Sequence, residues 1–533
     1  MMRNLLKIHF VLVAVAASAS SAWAKVEVSA IFSDHAVLQR DRPLPVWGWA
    51  SPGERVKVSF GQSVATAFAG TNGEWCAVLP RQPLSREGRA LVVEGENRIE
   101  FSDVLVGDVW LCSGQSNMEM PFSWGIIDGT NEMATASQYP NIRTAKFDHR
   151  RSYLPIARAS CAPWKICTPA VLPKVSACAW FFAREINRET GVPIGILDDN
   201  WSGSRIEPFI PPETLKATPA LKSWHERYTK ALDYVRTPKG AKHLSNAVNE
   251  MLIWAKYADE RRKNRQSIDY WPVYNPLPVT TDTCGQYLSM IYPIRRYPIA
   301  GALWYQGCSN GTEGDTYATK LEAMIKGWRT SWGEDFPFYI VQLSSFGVPT
   351  DDPAGGNGYA RTREAQRAIA GRVARCGLVV TTDIGNAKDI HPKNKLDVAL
   401  RLSRWALRDV YGRKGLVVSG PIFRTARREG KCLRIQFDHV GSGLMAAEKD
   451  PDEPGVAPVE SVDGRLKGFA VAGSDRKWHW AEAVVEGTDV LCESAAVPEP
   501  VAVRYAYRAN PMGRGNLYNK EGLPAAPFRS DAW

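Results

Sequence analysis

Apolar and polar positions divide the chain into three stretches with different periods. Between 25 and 103 they alternate in short runs at 43–49, 56–60 and 99–101, broken by the turn dipeptides Pro52-Gly53 and Asn72-Gly73. Period-two runs with such breaks predict the strands of a small β-sandwich. From 104 to 415 the pattern changes. Apolar runs at 109–112, 194–197, 301–305, 339–343 and 378–381 alternate with helical periodicity at 177–188, 321–328 and 360–369. That alternation predicts a parallel sheet covered by helices on both faces. The stretch 213–265 is polar, helical in period and free of strand signal, so it reads as a helical insertion beside the site. From 416 to 533 β character returns, clearest at 432–437 and 502–507, with an acidic, proline-containing loop at 447–460. The expected fold class is α/β, with β-sandwich-like domains on either side of the central one.

The first 24 residues belong to none of these domains. Arg3 and Lys7 precede an apolar run at 10–17, and Ala22-Trp23-Ala24 offers a small-x-small cleavage site before Lys25. This is the pattern of a signal peptide, and it predicts an exported protein, periplasmic or secreted. No other run reaches 18 apolar residues, so no membrane span is expected in the mature chain.

Composition narrows the classes. The 533 residues are 44% hydrophobic and 23% charged, which excludes a disordered, collagen-like or coiled-coil chain. The net charge of +10 would fall to about +8 without the first 24 residues, and no run of five like charges concentrates it. Nucleic acid is therefore not an expected partner. The ten cysteines and eight histidines form no CxxC, HxH or HExxH, so neither a metal nor another cofactor is expected. Cys161 and Cys167 are close enough in sequence to pair.

Candidate chemistry sits at four places, each just past a predicted strand. In open α/β sheets that edge is where ligands bind. Ser113-Gly114-Gln115-Ser116-Asn117-Met118-Glu119 places a serine on a tight turn, with its own N–H free to face an oxyanion. Asn200-Trp201-Ser202-Gly203-Ser204 offers the Gly203 N–H. Trp304-Tyr305-Gln306-Gly307-Cys308-Ser309-Asn310 supplies neutral amides at Gln306 and Asn310. Lys388-Asp389-Ile390-His391-Pro392 supplies a histidine, with Pro392 suited to the first position of the helix that follows. Serine, glycine, amide and then Asp/His suit acyl transfer by a serine nucleophile and need no metal.

These motifs resemble the sialate O-acetylesterases, a branch of the SGNH (GDSL-like) hydrolases, over nearly the whole mature chain. The resemblance rests on Phe32–Arg40 and Val46–Ala50, on Gly107 through Glu119, on Asp389 through Lys395, and on Asn516–Asn519 with Gly522–Ala525 and Pro527–Arg529. It implies a three-layer flavodoxin-like catalytic domain, Ser116 as nucleophile and His391 as base. It also implies oxyanion donors at the Ser116 N–H, the Gly203 N–H and the Gln306 amide, with Asn310 as the lesser candidate. Two departures stand out. Ser202-Gly203-Ser204 replaces the family's Gly-Gly-Thr, and Cys308 stands where the family has Glu. The clan's usual acid position, three before the histidine, is Lys388, so Asp389 is the candidate acid. Cys308 is a minor candidate nucleophile.

The expected function is a serine carbohydrate O-acetylesterase that removes acetyl groups from O-acetylated sialic acid through an acyl-enzyme. Alternatives are an esterase on another glycan such as acetylated xylan, a catalytically impaired carbohydrate-binding homologue, and an esterase or amidase that does not act on carbohydrate.

Overall fold

The computed structural model describes residues 25–268 and 282–533. The predicted signal peptide lies outside the described residues. Three early strands are β1 (Leu44–Trp49), β2 (Arg55–Phe60) and β3 (Ser85–Glu94). Their alternation does what the sequence requires: along β2, Val56, Val58 and Phe60 are buried while Arg55 and Lys57 face water.

Next comes β4 (Arg98–Gly114), a single strand of 17 residues. Its first part alternates and pairs antiparallel with β3, and from Val104 onward every residue is buried. The boundary expected at 103/104 falls inside this strand. The change of period there marks the point where the strand leaves a sheet solvated on one face and enters one covered on both. β4 therefore belongs to one eleven-stranded mixed sheet.

The chain continues through α1 (Ser116–Glu119), β5 (Ile142–Lys146), α2 (Ala177–Thr190) and β6 (Ile194–Asn200). The stretch read as a helical insertion does fold into helices, the longest being α3 (Lys222–Arg236) and α4 (Pro238–Lys263). Then come β7 (Gly301–Tyr305), α5 (Asp315–Trp332), β8 (Phe338–Val341), α6 (Tyr359–Arg372), β9 (Cys376–Val379) and α7 (Lys395–Asp409). The order across the sheet is β5-β6-β4-β7-β8-β9, with every neighbouring pair parallel.

Both faces are covered. Trp304, Phe338, Ile340 and Leu378 pack with α5 residues Leu321, Met324 and Trp328. Their alternates Leu303, Tyr339, Val341 and Val379 pack with Trp180 of α2 and Leu402 of α7. Three smaller sheets of four, three and four strands follow from Ile422 onward. Leu433, Ile435 and Phe437 face inward there, in one core with Val471, Tyr505 and Phe528.

Two local expectations are corrected. Cys161 and Cys167 do not pair, and all ten cysteines are free thiols. Residues 161–167 run extended beside β5, with Cys161 opposite Phe147 and the Cys167 N–H on the Ile142 carbonyl. At about 3.3 Å per residue, the strand holds the two sulfurs far apart. Pro392 does not open α7. The helix begins at Lys395, because the Asn394 side chain accepts from the Asp397 N–H (3.1 Å) and supplies the cap.

Candidate active site

β4 lies where the sheet order reverses, with β6 on one side and β7 on the other. The loops leaving these three strands meet at that crevice, as expected at a topological switch point. Gly114 ends β4 at φ 141°, and a Cβ there would come within 2.3 Å of the Tyr305 carbonyl oxygen. Only glycine lets the chain turn so closely against β7. Ser116 follows as the first residue of α1 and is 8% exposed.

The structure brings Ser116 and His391 together across 275 positions of sequence: Ser116 Oγ is 2.8 Å from His391 Nε2. Burial lowers the imidazole pKa below its ordinary value of 6.5, the Asp389 carboxylate opposes this, and the Lys395 and Lys393 ammonium groups add to it. The ring is therefore predominantly neutral at pH 7 and can accept a proton from Ser116.

Asp389 lies beside the far nitrogen, with Oδ1 3.6 Å from His391 Nδ1. That is longer than a hydrogen bond. The same oxygen accepts the His391 backbone N–H at 2.8 Å, and Oδ2 is 3.5 Å from Lys393 Nζ. Burial acts to raise the Asp389 pKa, but the His391 N–H and Lys393 outweigh it, and the carboxyl titrates below 3.8.

Neither the Ser116 N–H nor the Gly203 N–H donates to an acceptor among the described residues. The Gly203 loop is pinned on two sides. The Ser202 N–H and Oγ donate to Glu119 Oε2 at 2.5 and 2.6 Å, and Ser309 Oγ donates to the Gly203 carbonyl at 3.0 Å. Gly203 has φ 73°, in the left-handed region. Glu119 is held in turn by His149, 3.2 Å away. Burial would raise the Glu119 pKa, but His149, Ser202 and Lys146 bring it down to about 2.

Gln306 does not present a free amide to the site. Its Nε2 donates to the Ser204 carbonyl (3.1 Å) and to Asn310 Oδ1 (2.8 Å), which uses both protons. Asn310 is likewise committed. Its Nδ2 faces the Glu207 and Glu313 carboxylates at 3.2–3.3 Å, and its Oδ1 also accepts the Ile206 N–H at 3.0 Å. Both residues brace the loops instead. Cys308 stays a thiol at neutral pH, because burial pushes its pKa up to about 11 against the opposing effect of the Tyr359 hydroxyl.

Sequence reasoning gave no role to Gln115, Asn117, Glu119, Trp124 or Lys395. Gln115 Oε1 accepts the Gly307 N–H at 2.9 Å and so joins the first and third loops. Asn117 Nδ2 donates to the Ile390 carbonyl at 3.0 Å and joins the first and fourth. Trp124, 43% exposed, sets its ring 5.8 Å from the imidazole. Proximity to Ser116 and His391 in sequence was the available signal, but it does not tell which side chains turn inward. Among the described residues, no group of three or more His, Cys, Asp or Glu could hold a metal ion.

With this geometry in place, the comparisons with known proteins can be read. Residues 280–402 match the family model "carbohydrate esterase, sialic acid-specific acetylesterase". The chain is 27% identical to mouse sialate O-acetylesterase, over 97% of this chain and 96% of that protein. It is 26% identical to the human protein of that name, over 91% and 88%. A solved carbohydrate acetylesterase from Xanthomonas citri is 33% identical with a TM-score of 0.77, covering 95% of this chain and all of that one. Likeness over the whole length of both chains places this α/β protein among the carbohydrate esterases. Within them, it belongs to the sialate O-acetylesterase family.

Proposed function

We propose that the protein is an exported serine esterase that deacetylates O-acetylated sialic acid. The single observation that carries the mechanism is the 2.8 Å contact between Ser116 Oγ and His391 Nε2. Ser116 Oγ attacks the acetyl carbonyl carbon as its proton passes to Nε2. The negative charge on the carbonyl oxygen falls between the Ser116 and Gly203 N–H groups. His391 then delivers its proton to the departing sugar oxygen, leaving an acetyl ester on Ser116. Water, deprotonated by the same nitrogen, attacks that ester and frees acetate. Asp389 stabilises the imidazolium through space.

Further readings go with this one. The strand order and the cover on both faces support an SGNH-type, flavodoxin-like catalytic unit at 104–415, between β-rich units at 25–103 and 416–533. Export rests on residues 1–24. Sialic acid rests on the family description and on the names of the mammalian relatives. The exposed Trp124 ring beside His391 offers the departing sugar a face to stack on.

The test is acetate release by residues 25–533, beside a Ser116→Ala variant, on O-acetylated sialic acid and on acetylated xylan. Sialate is expected to be the better substrate, and Ser116→Ala to cost about 10³-fold or more in kcat. Retained activity in Ser116→Ala would rule out the serine mechanism. Serine-dependent release from xylan alone would move the substrate to plant glycan.

A further inference from the structure

Among the described residues, a buried cation stands behind the nucleophile with no carboxylate partner. Lys395 is 0% exposed, and among the described residues no carboxylate lies within ion-pair distance of its Nζ. The group donates to Asn117 Oδ1 at 2.6 Å and lies 5.1 Å from the centre of the Tyr305 ring. A buried charge without a carboxylate is costly, so its hydrogen bond has consequences. Asn117 is the residue after Ser116, and its Nδ2 donates to the carbonyl of Ile390, the residue before His391.

An ammonium has three donors and no acceptor. It donates to the Asn117 oxygen, while the Ile390 carbonyl, which only accepts, takes the amide nitrogen, so both partners hold the amide the same way. A neutral amine is a weaker donor and loosens the first of these two bonds. We propose that Lys395 is a positioning residue: its charged amine orients Asn117, which ties the serine turn to the histidine loop and sets the Ser116–His391 contact. This rests on the serine mechanism above.

The ionisable groups around Lys395 are Cys178 of α2, Tyr305 of β7, Cys308 in the loop after it, and Asp389, His391 and Lys393 of the histidine loop. Burial brings the Lys395 pKa down to about 8, while Cys178, Cys308 and Asp389 act to raise it and Lys393 to lower it. The charged form, and with it the charge-assisted bond to Asn117, is lost as pH rises through about 8.

The experiment is steady-state kinetics of residues 25–533 on the better glycan acetate. The variants are Ser116→Ala, Lys395→Met, Asn117→Ala and the Lys395→Met/Asn117→Ala pair, with kcat also followed from about pH 6 to 10. Lys395→Met is expected to lose about 10- to 100-fold in kcat with KM little changed, the scale of a misplaced reacting group. The double variant should be no worse than the poorer single one, because both break the same connection. Wild type should show an alkaline fall in kcat that Lys395→Met lacks. If Lys395→Met does not fold, Asn117→Ala must show the same kcat loss and lack the same alkaline fall. Ser116-dependent release with kcat of these variants within twofold of wild type, or additive losses in the pair, overturns the positioning role alone. Release that does not need Ser116 overturns the serine mechanism, and this role with it.

Discussion

At the scale of single residues, the pH behaviour follows from what surrounds His391. In the proposed mechanism its active form is the neutral ring, and its pKa lies below 6.5. The acid limb of kcat/KM is therefore expected below pH 6.5. Asp389 raises that pKa, so Asp389→Asn should move the limb to still lower pH while lowering kcat. Since Asp389 reaches Nδ1 only at 3.6 Å, the loss should be smaller than the ~10⁴-fold seen when a directly bonded triad acid is replaced. A pH-rate profile of both proteins checks the two statements together. Glu119 gives a second prediction. Its carboxyl titrates near 2 in the folded protein against 4.5 as the ordinary value. Its stabilisation is present above about pH 4.5 and is lost as pH falls toward 2, up to about 3 kcal/mol in all. Wild type should lose stability over that window in acid denaturation, and Glu119→Gln should lack this part of the loss.

At the scale of elements, the start of α7 matters more than its length. Asn394 caps the helix on the Asp397 N–H and also reaches the Pro451 carbonyl at 3.0 Å. The cap fixes where the helix begins, and so how the Asp389–Pro392 loop arrives at Ser116. Asn394→Ala is expected to cost about 1–2 kcal/mol, read as a lower denaturation midpoint. It should also lower kcat on the same substrate, because the histidine loop loses its anchor. Pro392 looked like the helix start because proline tolerates that position. The Asn394 side-chain bond decides otherwise, and a sequence shows the residue without showing that bond.

At the scale of the molecule, buried polar ties join the central sheet to the C-terminal sheets. Arg363 of α6 is fully buried, and burial pulls its pKa down to about 9, so it is charged at neutral pH. It donates to the Leu343 carbonyl at 2.8 Å, to the Arg508 carbonyl at 2.6 Å, and to the Ala509 carbonyl. Arg363→Met would leave those carbonyls without their donor. A loss of more than about 2 kcal/mol is expected. Limited proteolysis should then cut near 508–510 before the central sheet unfolds. Unchanged stability would show that Arg363 is not one of the ties that hold the sheets together.

The sequence by itself determined the elements and the chemical parts. Period two and period 3.6 are local properties, so strands such as 56–60 and helices such as 177–188 were legible without any partner. Ser116 and His391 were legible as candidates because a serine and a histidine beside strand ends are read from residue type, while their 2.8 Å contact was not. Tertiary structure decided what depends on who faces whom. β4 crosses the expected boundary because one strand can serve both parts of a single sheet, and only pairing partners tell it so. Gln306 and Asn310 turned inward because Ser204, Glu207 and Glu313 offered acceptors that lie far off in sequence or whose direction sequence does not give. Cys161 and Cys167 stayed apart because the chain between them is extended. Lys395 gained its place because a charge is buried only where a fold closes over it, and no period in the sequence records that closure.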